Sequence, residues 1–182
     1  MILVNIENFP AGDVTIEGYA GKNYFVADSF SFGVEREMKE SGEKGGTEDI
    51  NIGVGELQEC TISKSVDRAS TLLAQFAING NSLGKATIDF VEIGGTGGNE
   101  GKPLCYMRYV LDRVFVKSWS TSGDADDRPT EEVAFYYNRI AFQYRSTTDG
   151  KAYEMSTPMQ WDNVANTKEW KKGSPNLNLT GS

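Results

Sequence analysis

Four groups of residues in this chain could do chemistry. The first is Gly94-Gly95-Thr96-Gly97-Gly98-Asn99-Glu100-Gly101-Lys102, whose glycines and lysine suggest a phosphate-binding loop. The spacing fails. Counted back from Gly101, the first loop glycine falls on Thr96, and Pro103 follows Lys102 where Ser or Thr is required. A strand pattern comes next, not a helix whose N-terminus could hold an anion. The stretch reads as a hairpin loop. The second group is Asp124, Asp126, Asp127, Glu131 and Glu132. Paired carboxylates could cleave glycosides, and a carboxylate cluster could hold a hard cation. The Asp-x-Asp-x-Asp-Gly order of a calcium loop is absent, and Arg128 offsets the charge, so a solvated acidic turn is the simpler reading. A hydrolase would have to use Asp126 or Glu131.

The third group is Cys60 and Cys105, too few for a disulfide scaffold or a four-cysteine zinc site. Cys60 is in phase with Ile62 on the apolar side of a strand pattern, where Cys acts as a small hydrophobe. The fourth is aromatic. Tyr136, Tyr137, Phe142 and Tyr144, with Trp161 and Trp170, could stack sugars in a carbohydrate-binding β-sandwich. Strand aromatics more often pair within a core. The chain has no histidine, which excludes a Ser-His-Asp triad, a Cys-His pair and any His-ligated metal. No catalysis, cofactor or metal is expected.

Charge and length narrow the classes further. The chain has 182 residues, 18 Lys and Arg against 26 Asp and Glu, and a net charge of −8. That suits one domain with a sizeable core and argues against nucleic acid as a partner. No apolar run reaches the roughly 18 residues of a membrane helix, so membrane insertion is not expected. The opening residues Met1–Glu7 lack a basic segment followed by a long apolar one, so a Sec signal is not expected either.

The elements that would position these residues are mostly strands. Ala86, Ile88 and Phe90 alternate with Thr87 and Asp89; Cys60 and Ile62 alternate with Glu59, Thr61 and Ser63; Ile50, Ile52 and Val54 alternate with Asn51 and Gly53. Leu104–Ser118 and Glu132–Arg145 read as long strands. In the second, Val133, Phe135 and Tyr137 share one phase and Ile140, Phe142 and Tyr144 the other. A bend at Asn138-Arg139 is predicted, where the chain crosses between sheets. Ala69, Leu72, Leu73, Phe76 and Ala77 have helical spacing, which predicts one helix over Asp67–Asn79 with Asp67 as N-cap and Gly80 as stop. Thr148-Asp149-Gly150 marks a hairpin. The expected fold is mainly β: a small closed barrel of two packed antiparallel sheets, one flanking helix, and an extended loop over Met38–Gly55. Residues 1–166 form the domain, and 167–182 a flexible polar tail.

Four stretches in register resemble the haemolysin-coregulated protein (Hcp) family of bacterial type VI secretion. They are Asp28–Val34 with its aromatic-Ser-aromatic-Gly run, Gln58–Ser70 with Lys64 before Val66-Asp67-Arg68, Val110–Gly123, and Asp126–Val133 continuing into Ile140–Tyr144. The similarity spans about residues 2–165. The family's Gly-Glu-Ser step near the N-terminus is replaced by Ile16-Glu17-Gly18-Tyr19.

The resemblance implies a non-enzymatic barrel that forms homohexameric rings, which stack into a tube and carry effectors in the lumen. It implies spike and sheath or baseplate proteins as further partners, and export from a bacterial cytoplasm without a Sec signal. A tail-tube protein of a phage-like contractile particle is the neighbouring alternative. By the same resemblance the ring and subunit contacts fall on Glu40, Ser41, Gly42, Ile50, Ile52 and Val54, and Ser31 faces the lumen. A hexamer of chains at −8 would carry roughly −48, so stacking is expected to depend on salt.

Overall fold

A computed structural model describes residues 1–40, 50–93, 101–148 and 152–179. Its elements in chain order are β1 (Ile2–Ile6), β2 (Tyr24–Ala27), β3 (Ser29–Ser31), β4 (Val34–Glu40), β5 (Ile50–Leu57), β6 (Cys60–Ser65), α1 (Ser70–Asn79), β7 (Gly84–Ile93), β8 (Pro103–Ser122), β9 (Thr130–Tyr136), β10 (Arg139–Thr148), β11 (Ala152–Met155) and β12 (Met159–Asp162). Every pairing is antiparallel.

The strands form two walls that share β8. The first half of β8 pairs with β7 on one edge and β10 on the other, and β12 and β1–β2 extend that wall. The second half of β8 pairs with β9, and β6 and β3 follow. The bend in β8 sits at Arg113, whose φ of 53° turns the strand in a conformation that costs a side chain energy. Its partner breaks at Tyr137-Asn138, between β9 and β10. The crossing from one wall to the other thus falls one residue before the predicted Asn138-Arg139, since Arg139 already pairs with Asp112.

The expectation of a closed barrel is corrected. The pairing path runs β2-β1-β7-β8-β9-β6-β3, and no ladder joins its ends among the described residues. Its end strands β2 and β3 are one run of chain interrupted at Asp28, whose N–H donates to Ser63 O at 2.8 Å. The chain itself steps from wall to wall there, so the sheet curls round without a closing ladder. Between the walls lie Val4, Ile6, Phe25, Ile62, Ile88, Leu111, Phe135 and Ile140.

The helix starts later than predicted. Asp67 Oδ1 accepts the Ala69 N–H at 2.8 Å and Ser70 Oγ accepts the Asp67 N–H at 2.9 Å, which commits residues 67–69 to a turn. Gly80 ends the helix at φ 68°, its N–H donating to Phe76 O. Leu73 is fully buried, Leu72 and Phe76 are partly buried, and all three pack on the core. Burial of Leu73 alone contributes about 1.5–3 kcal/mol.

The extended loop of the sequence reading is also corrected. Residues 38–40 and 50–55 belong to the strands β4 and β5, which among the described residues pair only with each other, and 41–49 lie outside the described residues. Of the hairpin predicted at Thr148-Asp149-Gly150, Asp149 and Gly150 lie outside the described residues, and the strands on either side pair, Thr148 opposite Ala152. Within the segment read as a tail, Trp170, Leu177 and Leu179 lie against the sheet. Trp170 is 8% exposed and Leu179 fully buried. The polar average of this segment concealed these two apolar anchors.

Candidate assembly surfaces

The two walls differ on their outer faces, and the difference follows from strand parity. On the β1–β7–β8–β10 wall, the outward positions include Leu3, Val91, Cys105, Val110 and Ala141. Such residues need cover. Val14 and Tyr19 from the β1–β2 connection cover one part, and Trp170, Leu177 and Leu179 cover the rest. Arg108 fastens this cover. It holds buried Asp89 through Nε at 2.6 Å and Nη2 at 2.7 Å, and its Nη1 donates to Asn178 O at 2.6 Å. Trp170 Nε1 donates to Ile140 O at 3.2 Å.

The outer face of the β3–β6–β9–β8 wall carries no such covered apolar cluster among the described residues. Its outward residues include Ser29 and Ser31 on β3, Thr61 and Ser63 on β6, Thr130, Glu132, Ala134 and Tyr136 on β9, and Ser118, Ser120 and Ser122 on β8, with half-buried Phe115 on β8 opposite Tyr136. Hydroxyls hydrogen-bond water or each other, as Ser29 and Ser63 do at 2.5 Å, so this face needs no cover. Ser31 is exposed on it, opposite Thr61. A groove of about 590 Å³ runs beside Ser31 and is lined by Gln58, Glu59, Thr61, Lys117 and Tyr136 among others. Lys117 and Glu59 form an ion pair within it.

The second free surface is the β4–β5 hairpin. Glu40 stands opposite Ile50, and Ile52 opposite Met38. Val54 lies within the register shift between Arg36 and Met38, where a bulge sharpens the twist. Ser41 and Gly42 lie outside the described residues. At the hairpin base, Val34, Arg36, Gly55 and Leu57 face Pro158, Met159 and Trp161 across a groove of about 600 Å³. Val34 is 56% exposed.

The described residues do not bring the competing chemistries together, and residues 94–100 of the glycine-rich stretch lie outside them. Asp126 is exposed in the β8–β9 turn, whereas Glu131 is buried. Both Glu131 oxygens are committed: Oε1 accepts from Lys64 Nζ at 2.8 Å and Ser70 Oγ at 2.9 Å, and Oε2 from Trp119 Nε1 at 2.9 Å. Trp170 is buried, and Tyr136 and Trp161 line separate grooves, so no common sugar platform forms. Cys60 and Cys105 are free and buried in different clusters. Burial pushes both thiols up to about 12. No group of three or more metal-ligating side chains occurs among the described residues.

Residues 3–144 match the model of one family, described as the type VI secretion system effector Hcp. The chain belongs to the Hcp family. Solved structures carry the same fold. A type six secretion system protein is 23% identical over 92% of this chain and 98% of its own, with a TM-score of 0.77. Hcp1 from Salmonella typhimurium is 18% identical over 92% and 96%, with a TM-score of 0.65. A type VI secretion system effector from Yersinia pestis is 15% identical over 89% and 99%, also at 0.65. No curated protein matches the chain. As an Hcp protein it is mainly β, with one short helix among the described residues, and its place is in type VI secretion.

Sequence reading missed the Lys64–Glu131 pair and the covering segment. The first had a signal: Lys64 is in phase with Cys60 and Ile62 on the inward side of β6. An inward lysine on an apolar face requires a buried partner.

Proposed function

We propose that this Hcp protein is a structural tube subunit that closes into hexameric rings, with the β3–β6–β9–β8 face toward the lumen. The observation that carries this reading is the contrast between the two outer faces. One carries apolar residues sealed by the chain's own segments; the other carries mainly hydroxyl side chains with no such seal among the described residues. A wall past which cargo slides must stay wet and offer few apolar anchors.

The β4–β5 hairpin, with Glu40, Ser41, Gly42, Ile50, Ile52 and Val54, is the arm that reaches a neighbouring subunit or ring. Among the described residues its strands pair only with each other, which leaves backbone groups on both edges for a partner. A repeated heterologous contact of this kind closes into a ring when its rotation divides the circle. Effectors held in the lumen and the spike and sheath of the machine are the partners, and the route is secretion through the type VI apparatus. The chain acts by geometry and not by catalysis.

Light scattering and negative-stain microscopy test this directly. The expected result is a mass six times the 20.0 kDa chain and an annulus around a hole. A protein that stays monomeric at both low and high salt overturns the reading.

A further inference from the structure

We propose that the bare β3–β6–β9–β8 face is a docking strip for basic, extended segments of cargo proteins, anchored by Glu132 and Tyr136. This deepens the lumen reading above and rests on it. The strip has three parts along β9. Glu132 is exposed between Ser63 on β6 and Ser120 on β8. Ala134 follows, flanked by Thr61 and Ser118, a floor of small side chains that lets another chain approach closely. Tyr136 ends the strip, 53% exposed, at the edge of the Ser31 groove.

Charge selects the occupant. Lys117 is paired with Glu59 and presents little free positive charge. Beyond Glu132 the same β8–β9 hairpin turns through exposed Asp124, Asp126 and Asp127, against one cation, Arg128. The strip therefore runs from a carboxylate end, across neutral hydroxyls, to an aromatic ring. Four residues along a strand separate the anchors by about 13 Å. An extended chain with two arginines four residues apart spans that distance. One guanidinium pairs with Glu132, and the other stacks on the Tyr136 ring. Each contact is weak and salt-screened, which suits cargo that must be released. Repetition around a ring turns weak contacts into retention.

The test uses the full chain in its assembled state and a fluorescein-labelled ten-residue peptide with arginines at positions three and seven. A second peptide has glutamate at both positions. Fluorescence anisotropy should show the arginine peptide binding at about 50 mM salt and weakening strongly by about 300 mM, and no binding of the glutamate peptide. Glu132→Lys should weaken binding about tenfold. Tyr136→Ser should weaken it about two- to fivefold. Glu17→Lys, the same charge change at an exposed position outside this face, should alter it less than twofold. If Glu132→Lys disrupts the ring, Glu132→Gln replaces it.

Rings that bind both peptides alike, or a Glu17→Lys effect as large as that of Glu132→Lys, overturn the docking strip and leave the ring reading standing. A monomer that still binds the arginine peptide through Glu132 keeps the strip and removes the lumen. A monomer that binds neither peptide overturns both.

Discussion

Lys64 Nζ and Glu131 Oε1 meet 2.8 Å apart with both side chains at 0% exposure, joining the strand before the helix to β9 on the bare wall. Asp67 Oδ1 lies 2.6 Å from the same ammonium, and the ring of Phe25 sits 5.6 Å from it. The pair lies where the helix turn, the β6 end and the core converge. Burying two charges is costly, so its worth shows only when one partner is removed. Lys64→Met should destabilise the fold by about 3–5 kcal/mol, because it leaves a buried carboxylate uncompensated. The double variant Lys64→Met with Glu131→Leu should recover much of that loss. Urea unfolding of the three proteins checks both statements. A Lys64→Met loss below about 1 kcal/mol would show the pair to be energetically idle.

Asp162 anchors the start of the covering segment. Its Oδ1 accepts the N–H groups of Val164 and Ala165, and its Oδ2 accepts Lys171 N–H and Arg139 Nε. Arg139 also pairs with Asp112 beside the β8 bend. Burial alone would push the Asp162 carboxyl up, but the hydrogen bonds from Ala165, Arg139 and Lys171 outweigh it and hold it at about 2. A depressed carboxyl stabilises the fold above its unfolded value of about 3.9 and loses that contribution as pH falls toward 2. The contribution is about 2 kcal/mol at neutral pH. Asp162→Asn should therefore lower stability at pH 7 and flatten the acid limb between pH 4 and 2. Urea midpoints measured across that range would contradict this if both proteins lost stability in parallel.

Leu179 seals the outer face of the other wall next to Cys105. In the intact protein Cys105 is 3% exposed and its thiol is pushed up to about 12, so a maleimide should label it slowly. Leu179→Asp should lift the segment and speed labelling at pH 8 by at least about tenfold, with Cys60 unchanged as an internal control. Peptide mass mapping of the labelled protein reads both sites. Equal labelling of the two cysteines would mean global unfolding and not release of the cover.

Arg113 has φ 53° at the bend of β8. A side chain in that region costs roughly 1–2 kcal/mol, and glycine loses part of the gain to unfolded-chain entropy. Arg113→Gly should raise stability by about 0.5–1 kcal/mol. Thermal unfolding of the variant decides it, and a lowered midpoint would mean that the arginine side chain contributes more than its backbone costs.

The β rhythm, the helix, the phase change before Ile140 and the family were all legible in the residues themselves. Each is a local pattern: alternation sets which side chains share a face, and helical spacing does the same for Leu72, Leu73 and Phe76. The tertiary structure alone decided which faces stay bare. Leu179 is polar by neighbourhood and buried by contact, and only folding brings it to Leu3, Val91 and Cys105. It also decided that Glu131 holds a lysine and takes no part in an acidic cleft. That partner lies 67 residues away in the chain, a distance at which periodicity says nothing and only the curl of the sheet can match one charge to another.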